Sequence, residues 1–125
     1  MGNENQKNVL EIDSIIRQNP WFDFHITKYD GYNLTLVGSI DLTYFHTLEI
    51  IFEEVFFVSS FFEGWRTETS EVVIEIPIDE TEKELNKKFE IQQGYQLFII
   101  HPEDFKNRIY IAAKRIAYRT DKVNY

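Results

Sequence analysis

The chain has 125 residues, no cysteine and a formal net charge of −8 at pH 7. The length predicts a single domain over residues 1–125, with frayed ends at 1–6 and 120–125. The absence of cysteine excludes disulfides, thiolate catalysis and cysteine-ligated metals.

The N-terminus is polar and leads directly into an amphipathic segment, so it lacks the apolar stretch of a signal peptide. Acidic residues interrupt the apolar runs before they reach the roughly 18 residues that a membrane-spanning helix needs. We therefore expect a cytoplasmic protein with no membrane partner.

Charge is distributed unevenly along the chain. Residues 41–90 contain 13 acidic and 4 basic residues, a net charge of −9, whereas residues 91–125 contain 3 acidic and 6 basic residues, a net charge of +3. An acidic middle disfavours nucleic acid as a partner and would attract a basic protein or a cation. Alternatively, the acidic residues only keep an aromatic-rich domain in solution.

The first predicted element is an amphipathic helix from about Asn5 to Gln18, because apolar residues recur there at the spacing of one helix face. Asn19-Pro20 supplies the stop, and we expect the apolar face to pack on a sheet. The apolar residues are Val9, Ile12, Ile15 and Ile16.

Apolar and polar residues alternate over residues 22–27 and again over 32–40, which predicts two strands. A two-residue turn would place their apolar sets on opposite faces of the sheet. A three-residue loop over 29–31, with Gly31 left-handed, places them on the same face, so we predict this loop. The resulting cross-strand pairs are Ile26 with Leu34 and Phe24 with Leu36.

Three further features follow before the last strand. Alternation over residues 48–57 changes phase near Glu54, which predicts a bulge. Residues 72–78 alternate most cleanly and predict a further strand. Residues 79–89 fit either a short helix or a loop, and Asp79 and Glu82 have the spacing of a capping box.

The remaining chain predicts a second hairpin across the loop 92–94, and then a strand over 109–118 with a bulge near Lys114-Arg115. In total the sequence predicts about seven strands, an N-terminal helix and at most one short internal helix. Short turns favour antiparallel pairing. The expected fold is α+β: a mainly antiparallel curved sheet or flattened sandwich with the N-terminal helix packed on it.

The sequence contains no recognisable catalytic, metal or cofactor motif. His25, His46 and His101 lack metal-ligand spacing, Ser59-Ser60 lies outside any nucleophile elbow, and the five glycines are scattered singly. We therefore assign no catalytic, metal or cofactor-binding residue and expect a protein that is not an enzyme. An enzyme would require His25 or His46 to meet carboxylates in a cleft.

The most informative segment runs from Thr43 to Trp65, where six of the eleven phenylalanines lie among acidic residues. Its end is typical of a loop, and aromatic residues with arginine are enriched at interface hot spots. Alternatively, Phe61 or Phe62 folds back as a core plug under Trp65. The candidate partner-binding residues are Phe61, Phe62, Trp65, Arg66, Glu53, Glu54 and Glu63.

A basic cluster near the C-terminus could bind phosphates, but along a strand its side chains would spread over both faces, so no nucleic-acid partner is predicted. Basic residues here more simply give a solvated face or protect a strand edge. The cluster consists of Lys106, Arg108, Lys114, Arg115 and Arg119.

The order His25-Ile26, a hairpin, Leu34–Leu36, Leu48–Val55 and finally Ile109–Lys114 resembles small bacterial immunity-type proteins, nearest to the Imm50-like group. Such proteins accompany polymorphic toxins and neutralise a cognate toxin by binding it. The resemblance therefore implies a non-catalytic binding function, and it assigns no residue.

The leading interpretation is a non-catalytic protein-binding domain, in its narrower form an immunity-type inhibitor, whose acidic middle covers a basic protein partner. One alternative is a small-molecule or lipid-binding β-domain with an aromatic pocket lined by Phe52, Phe57 and Tyr95. Another is a structural or homo-oligomeric role, including a homodimer.

Overall fold

The computed structural model describes residues 2–125, with side chains from Glu4 onward. This part of the chain forms two helices and nine strands. The helices are α1 (Gly2–Arg17) and α2 (Asp79–Lys88). The strands are β1 (Phe22–Tyr29), β2 (Leu34–Ser39), β3 (Phe45–His46), β4 (Leu48–Ser59), β5 (Trp65–Thr67), β6 (Ile74–Glu75), β7 (Gln96–Ile100), β8 (Ile109–Arg119) and β9 (Val123–Asn124).

Seven strands form one antiparallel sheet in the order β5-β1-β2-β4-β8-β7-β6, which curls into a half-barrel. α1 packs against β6 and β8 and inserts Val9, Ile12 and Ile16 into the core. The predicted α+β class, with a curved antiparallel sheet and an N-terminal helix packed on it, is confirmed. The second, two-stranded sheet of β3 and β9 was not predicted.

At both ends, where the sequence predicts fraying over 1–6 and 120–125, some of the described residues form hydrogen bonds with the rest of the fold. The buried amide of Asn5 donates to the Lys114 carbonyl at 3.0 Å and accepts from the Ile116 N–H at 3.2 Å. At the other end β9 pairs with β3, so that its backbone groups have strand partners. Met1 lies outside the described residues.

The first hairpin has a different register from the predicted one. Ile26 pairs with Leu36, because the loop extends to Asn33 and a bulge follows Ile26. The Asp30 carboxylate accepts N–H groups from Tyr32 and Asn33 and closes this longer loop. The predicted pairs, Ile26 with Leu34 and Phe24 with Leu36, are therefore wrong, although Gly31 is left-handed as expected, with φ 97°.

The two predicted bulges have different outcomes. Glu54 has a φ of 56°, and the register with β8 shifts between Val55 and Phe57, so a bulge near Glu54 is confirmed. Pairing from Ala113 to Arg119 shows no register shift, and the bulge predicted near Lys114-Arg115 is wrong. The change of buried face in β8 instead lies opposite the left-handed Glu54.

The strand predicted over residues 72–78 shortens to the two residues of β6. Its alternation breaks because Asp13 of α1 accepts the N–H groups of both Val73 and Ile74, and both side chains are buried. Val72 and Ile78, which the prediction placed on the apolar face, are exposed.

The segment that fitted either a helix or a loop is the helix α2. Its N-cap is Ile78 without a side-chain hydrogen bond, so the capping box predicted at Asp79 is wrong. The N–H of Glu90 donates to Lys87 and that of Ile91 to Asn86, which is a Schellman ending. This ending occupies residues predicted to belong to the second hairpin, and the next strand begins only at Gln96.

None of the helices in residues 2–125 is long and apolar enough to cross a membrane.

Candidate functional site

The loop between β4 and β5 divides its aromatic residues between the core and the surface. Phe62 is 84% exposed and projects from the loop, whereas Trp65 is 3% exposed. Phe61 is half-buried against the core and stacks on Phe105 with ring centroids 3.9 Å apart. Of the three predicted aromatic anchors, Phe62 is therefore the one fully available to a partner.

Trp65 is a core residue in this structure rather than a surface anchor. It pairs with Phe24 across β5 and β1, and the two rings stack with centroids 6.0 Å apart. The chain turns into β5 at Gly64, whose φ is 105° and where a Cβ would lie 2.6 Å from the Phe24 carbonyl oxygen. Glycine thus permits the close approach that separates exposed Phe62 from buried Trp65.

Beside Phe62 lies a cavity of about 300 Å³, here called the apolar groove. It forms where β4 extends beyond β2: strand pairing between them ends at Phe52, so the last part of β4 has a strand partner only in β8. Several of its side chains are partly exposed to solvent. The groove is lined mainly by Ile26, Tyr29, Leu34, Val55, Phe56 and Phe62.

The predicted partner-binding residues Glu53 and Glu54 are engaged within the protein. Arg115 donates to Glu53 at 2.8 Å and to Glu54 at 2.9 Å, and Lys114 lies 3.5 Å from Glu54. The Glu53 carboxylate, followed by that of Glu54, raises the pKa of Arg115 above its usual value. These ion pairs neutralise Glu53 and Glu54, which were predicted to bind a partner. They also neutralise Lys114 and Arg115 of the predicted basic cluster.

The remaining predicted residues, Arg66 and Glu63, line a larger cavity of about 810 Å³, here called the acidic cleft. Arg66 donates to Asp23 at 2.8 Å, a contact that raises the pKa of its guanidinium, and it lies 5.5 Å from the Trp21 ring. Four acidic residues and this single arginine line the cleft. The charged residues of the cleft are Asp23, Glu63, Arg66, Glu103 and Asp104.

His46 and His101 contact carboxylates at separate places, and His25 lines the acidic cleft without such a contact among the described residues. His46, 7% exposed, lies 3.0 Å from Glu49 through Nε2 and 2.8 Å from the Tyr125 hydroxyl through Nδ1, which fastens β9 to β3. His101 lies 2.5 Å from Glu75. In the described residues no group of three His, Asp or Glu side chains could hold a metal ion.

The aromatic residues proposed for a ligand pocket do not share one. Phe52 is buried against Phe98, and Tyr95 packs on Phe56. Phe57 lines the apolar groove but stacks on Phe89. Sequence reasoning missed Tyr29 and Phe56 as groove residues, because their exposure follows from the unequal lengths of β2 and β4.

Comparison of the chain with protein families, with curated proteins and with solved structures found no match.

Proposed function

We propose that this chain is a non-catalytic protein-binding domain whose partner covers the apolar groove and the adjoining acidic cleft. The observation that carries the proposal is Phe62, which is 84% exposed at the rim of an apolar groove. Contiguous exposed apolar surface of this kind marks interaction sites, and buried aromatic anchors dominate interface energies.

The shape of this surface favours a protein over a small molecule. A groove of about 300 Å³ is at the small end of ligand pockets. Phe62 projects outward, so burying it requires a concave pocket on the other molecule. Covering Phe62 and the groove together needs a macromolecular surface.

The charges next to the groove favour a basic partner. Glu63 follows Phe62 directly and lines the acidic cleft, so the apolar and acidic surfaces adjoin. Lysine or arginine residues that flank an apolar contact would meet these carboxylates and accelerate association at low salt. The whole chain, with a net charge of −8, acts in the same direction.

In its narrower form the proposal is an immunity-type inhibitor that acts in the bacterial cytoplasm by covering a basic surface of a cognate toxin. Its support is the resemblance in sequence pattern, together with the exposed Phe62 beside the acidic cleft. Such inhibition requires no catalytic group and no cofactor.

The test measures the affinity of two surface variants for the same purified protein partner. Phe62→Ser removes the anchor, and Leu10→Ser, which changes a residue 61% exposed on α1, is the matched control. We expect Phe62→Ser to weaken binding by at least about tenfold and Leu10→Ser to leave it unchanged. Equal affinity of the Phe62→Ser variant and the unaltered protein would contradict the proposal.

The acidic half of the surface has its own variant. Glu63→Lys should slow association with the same partner, and the difference from the unaltered protein should shrink as salt is added. If Glu63→Lys leaves the association rate unchanged at low salt, the acidic cleft is not part of the interface.

A homodimer is the second candidate, because residues 56–59 of β4 have a strand partner on one side only. Two copies could pair these edges across a two-fold axis. Sedimentation of the unaltered protein and of the Phe62→Ser variant distinguishes a homodimer from a complex with a different protein. If the unaltered protein is a dimer and the Phe62→Ser variant is a monomer, the partner that covers this surface is a second copy of the chain.

A further inference from the structure

A third cavity, of about 450 Å³, has the opposite electrostatic character and is here called the basic cleft. Its walls come from the end of β4, the end of α2 and the segment that enters β8. The residues that line it include Ser59, Lys88, Phe89, Lys106, Arg108 and Tyr110.

The fold brings its three cations together from two distant segments. Lys88 is the last residue of α2, where a cation is favoured by the helix dipole. Lys106 and Arg108 lie in the loop that leads into β8. β8 pairs with the end of β4 at Tyr110 and Ser59, which places this loop beside the end of α2.

These three cations, of which Lys106 and Arg108 belong to the predicted basic cluster, differ from Lys114 and Arg115 of that cluster in their ion pairing. Lys114 and Arg115 form ion pairs with Glu53 and Glu54. Within the part of the chain that the structure describes, no carboxylate forms an ion pair with Lys88, Lys106 or Arg108. Three like charges in one cleft repel each other, and a bound anion would relieve that repulsion.

The cleft also offers a fixed aromatic wall and neutral hydrogen-bond donors. Phe89 packs on Tyr110 and on Phe57, each with ring centroids 4.9 Å apart, so the wall is anchored to both β8 and β4. Ser59 and Tyr110, which both carry a hydroxyl group, also line the cleft. Charged and neutral donors from several directions suit the tetrahedral oxygens of a phosphate group.

We propose that the basic cleft binds the phosphate group of a small phosphorylated molecule. Its volume lies within the range of small-molecule sites. The cavity is limited to three adjoining segments of the chain, which suits a compact anion better than an extended acidic peptide. The site is distinct from the apolar groove, which Phe62 borders.

The test is a titration with pyrophosphate, followed by backbone amide chemical shifts at low ionic strength. We expect the largest shifts at residues 88–89 and 106–110, and no comparable shifts with sodium chloride at equal ionic strength. The double variant Lys106→Ala/Arg108→Ala should weaken binding by about tenfold or more. Because both side chains are exposed, this variant should retain the thermal stability of the unaltered protein.

Lys87→Ala is the matched control, since Lys87 is an exposed neighbour of Lys88 in the last turn of α2 and does not line the cleft. Lys88→Ala should weaken pyrophosphate binding, and Lys87→Ala should not. Equal losses of pyrophosphate affinity in Lys88→Ala and Lys87→Ala would show that only the net charge matters, and this would overturn the proposal. Tighter binding of a polyglutamate peptide than of pyrophosphate would likewise overturn it.

Discussion

The ring of Trp65 stacks on that of Phe24 with centroids 6.0 Å apart, and this contact fastens the edge strand β5 to β1. Phe62 lies only three residues earlier in the chain and is exposed to solvent. The two aromatic residues should therefore have separable effects, Trp65 on folding and Phe62 on the proposed partner binding.

Trp65→Ala should lower the free energy of unfolding by about 3–5 kcal/mol, because it leaves a large cavity in the core. Phe62→Ala should change it by less than about 0.5 kcal/mol, because that side chain is already exposed. Urea unfolding followed by circular dichroism measures both. A loss of less than about 1 kcal/mol in Trp65→Ala would contradict the core assignment of this residue.

Gly64→Ala should be more damaging than Gly31→Ala, although both glycines have positive φ. At Gly31 nothing lies within 4 Å of an added Cβ, so the substitution carries only the backbone strain of about 1 kcal/mol. At Gly64 the added Cβ would also lie 2.6 Å from a carbonyl oxygen of β1. We expect a loss of at least about 2 kcal/mol there, measured by urea unfolding. Equal losses of unfolding free energy in Gly64→Ala and Gly31→Ala would show that β5 can move away from β1 at no cost in stability.

Glu90→Gly should stabilise the protein by about 1 kcal/mol, because Glu90 holds the left-handed position of the Schellman ending of α2 with φ 54°. Glu84→Gly, at an exposed site inside the same helix, is the control and should destabilise by about 1 kcal/mol. Thermal and urea unfolding measure the two changes. If Glu90→Gly instead destabilises the protein, the glutamate side chain contributes more to stability than its left-handed backbone conformation costs.

Local patterns in the sequence predict the elements whose partners are near in the chain or whose apolar face is long. The helix at Val9–Ile16, the left-handed Gly31 and the bulge near Glu54 belong to this class. The hairpin register was missed because the Asp30 side chain closes a longer loop and a bulge shifts the pairing.

The candidate site depended more strongly on distant contacts, and less of it was predictable. Burial of Trp65 is set by its pairing with Phe24, and neutralisation of Glu54 by Arg115, a residue 61 positions away. The β9 pairing depends on β3, to which no apolar periodicity points. The sequence left open whether the aromatic loop is exposed or core, and the turn at Gly64 separates exposed Phe62 from buried Trp65.

Stability should fall as the pH rises above about 10, because two tyrosines hold their protons more tightly in the folded state. The pKa of Tyr118 is raised from its usual value of 10.0 chiefly because its hydroxyl donates to the carboxylate of Glu11, and burial adds to the effect. Burial, followed by the charge of Glu49, raises the pKa of Tyr125. A raised folded-state pKa stabilises the protein below the unfolded value of 10.0, and this contribution is lost as the pH rises through the folded value.

Tyr118→Phe should therefore flatten the alkaline decline, which urea unfolding at a series from about pH 8 to about pH 11 measures. Tyr32→Phe, which changes a tyrosine 71% exposed, is the matched control and should leave the slope unchanged. Because Tyr118 joins β8 to α1 through Glu11, the variant should also be less stable at the lower end of the series. If the free energy of unfolding falls with pH equally in Tyr118→Phe and in the unaltered protein, the contact with Glu11 does not raise the pKa of Tyr118 in solution.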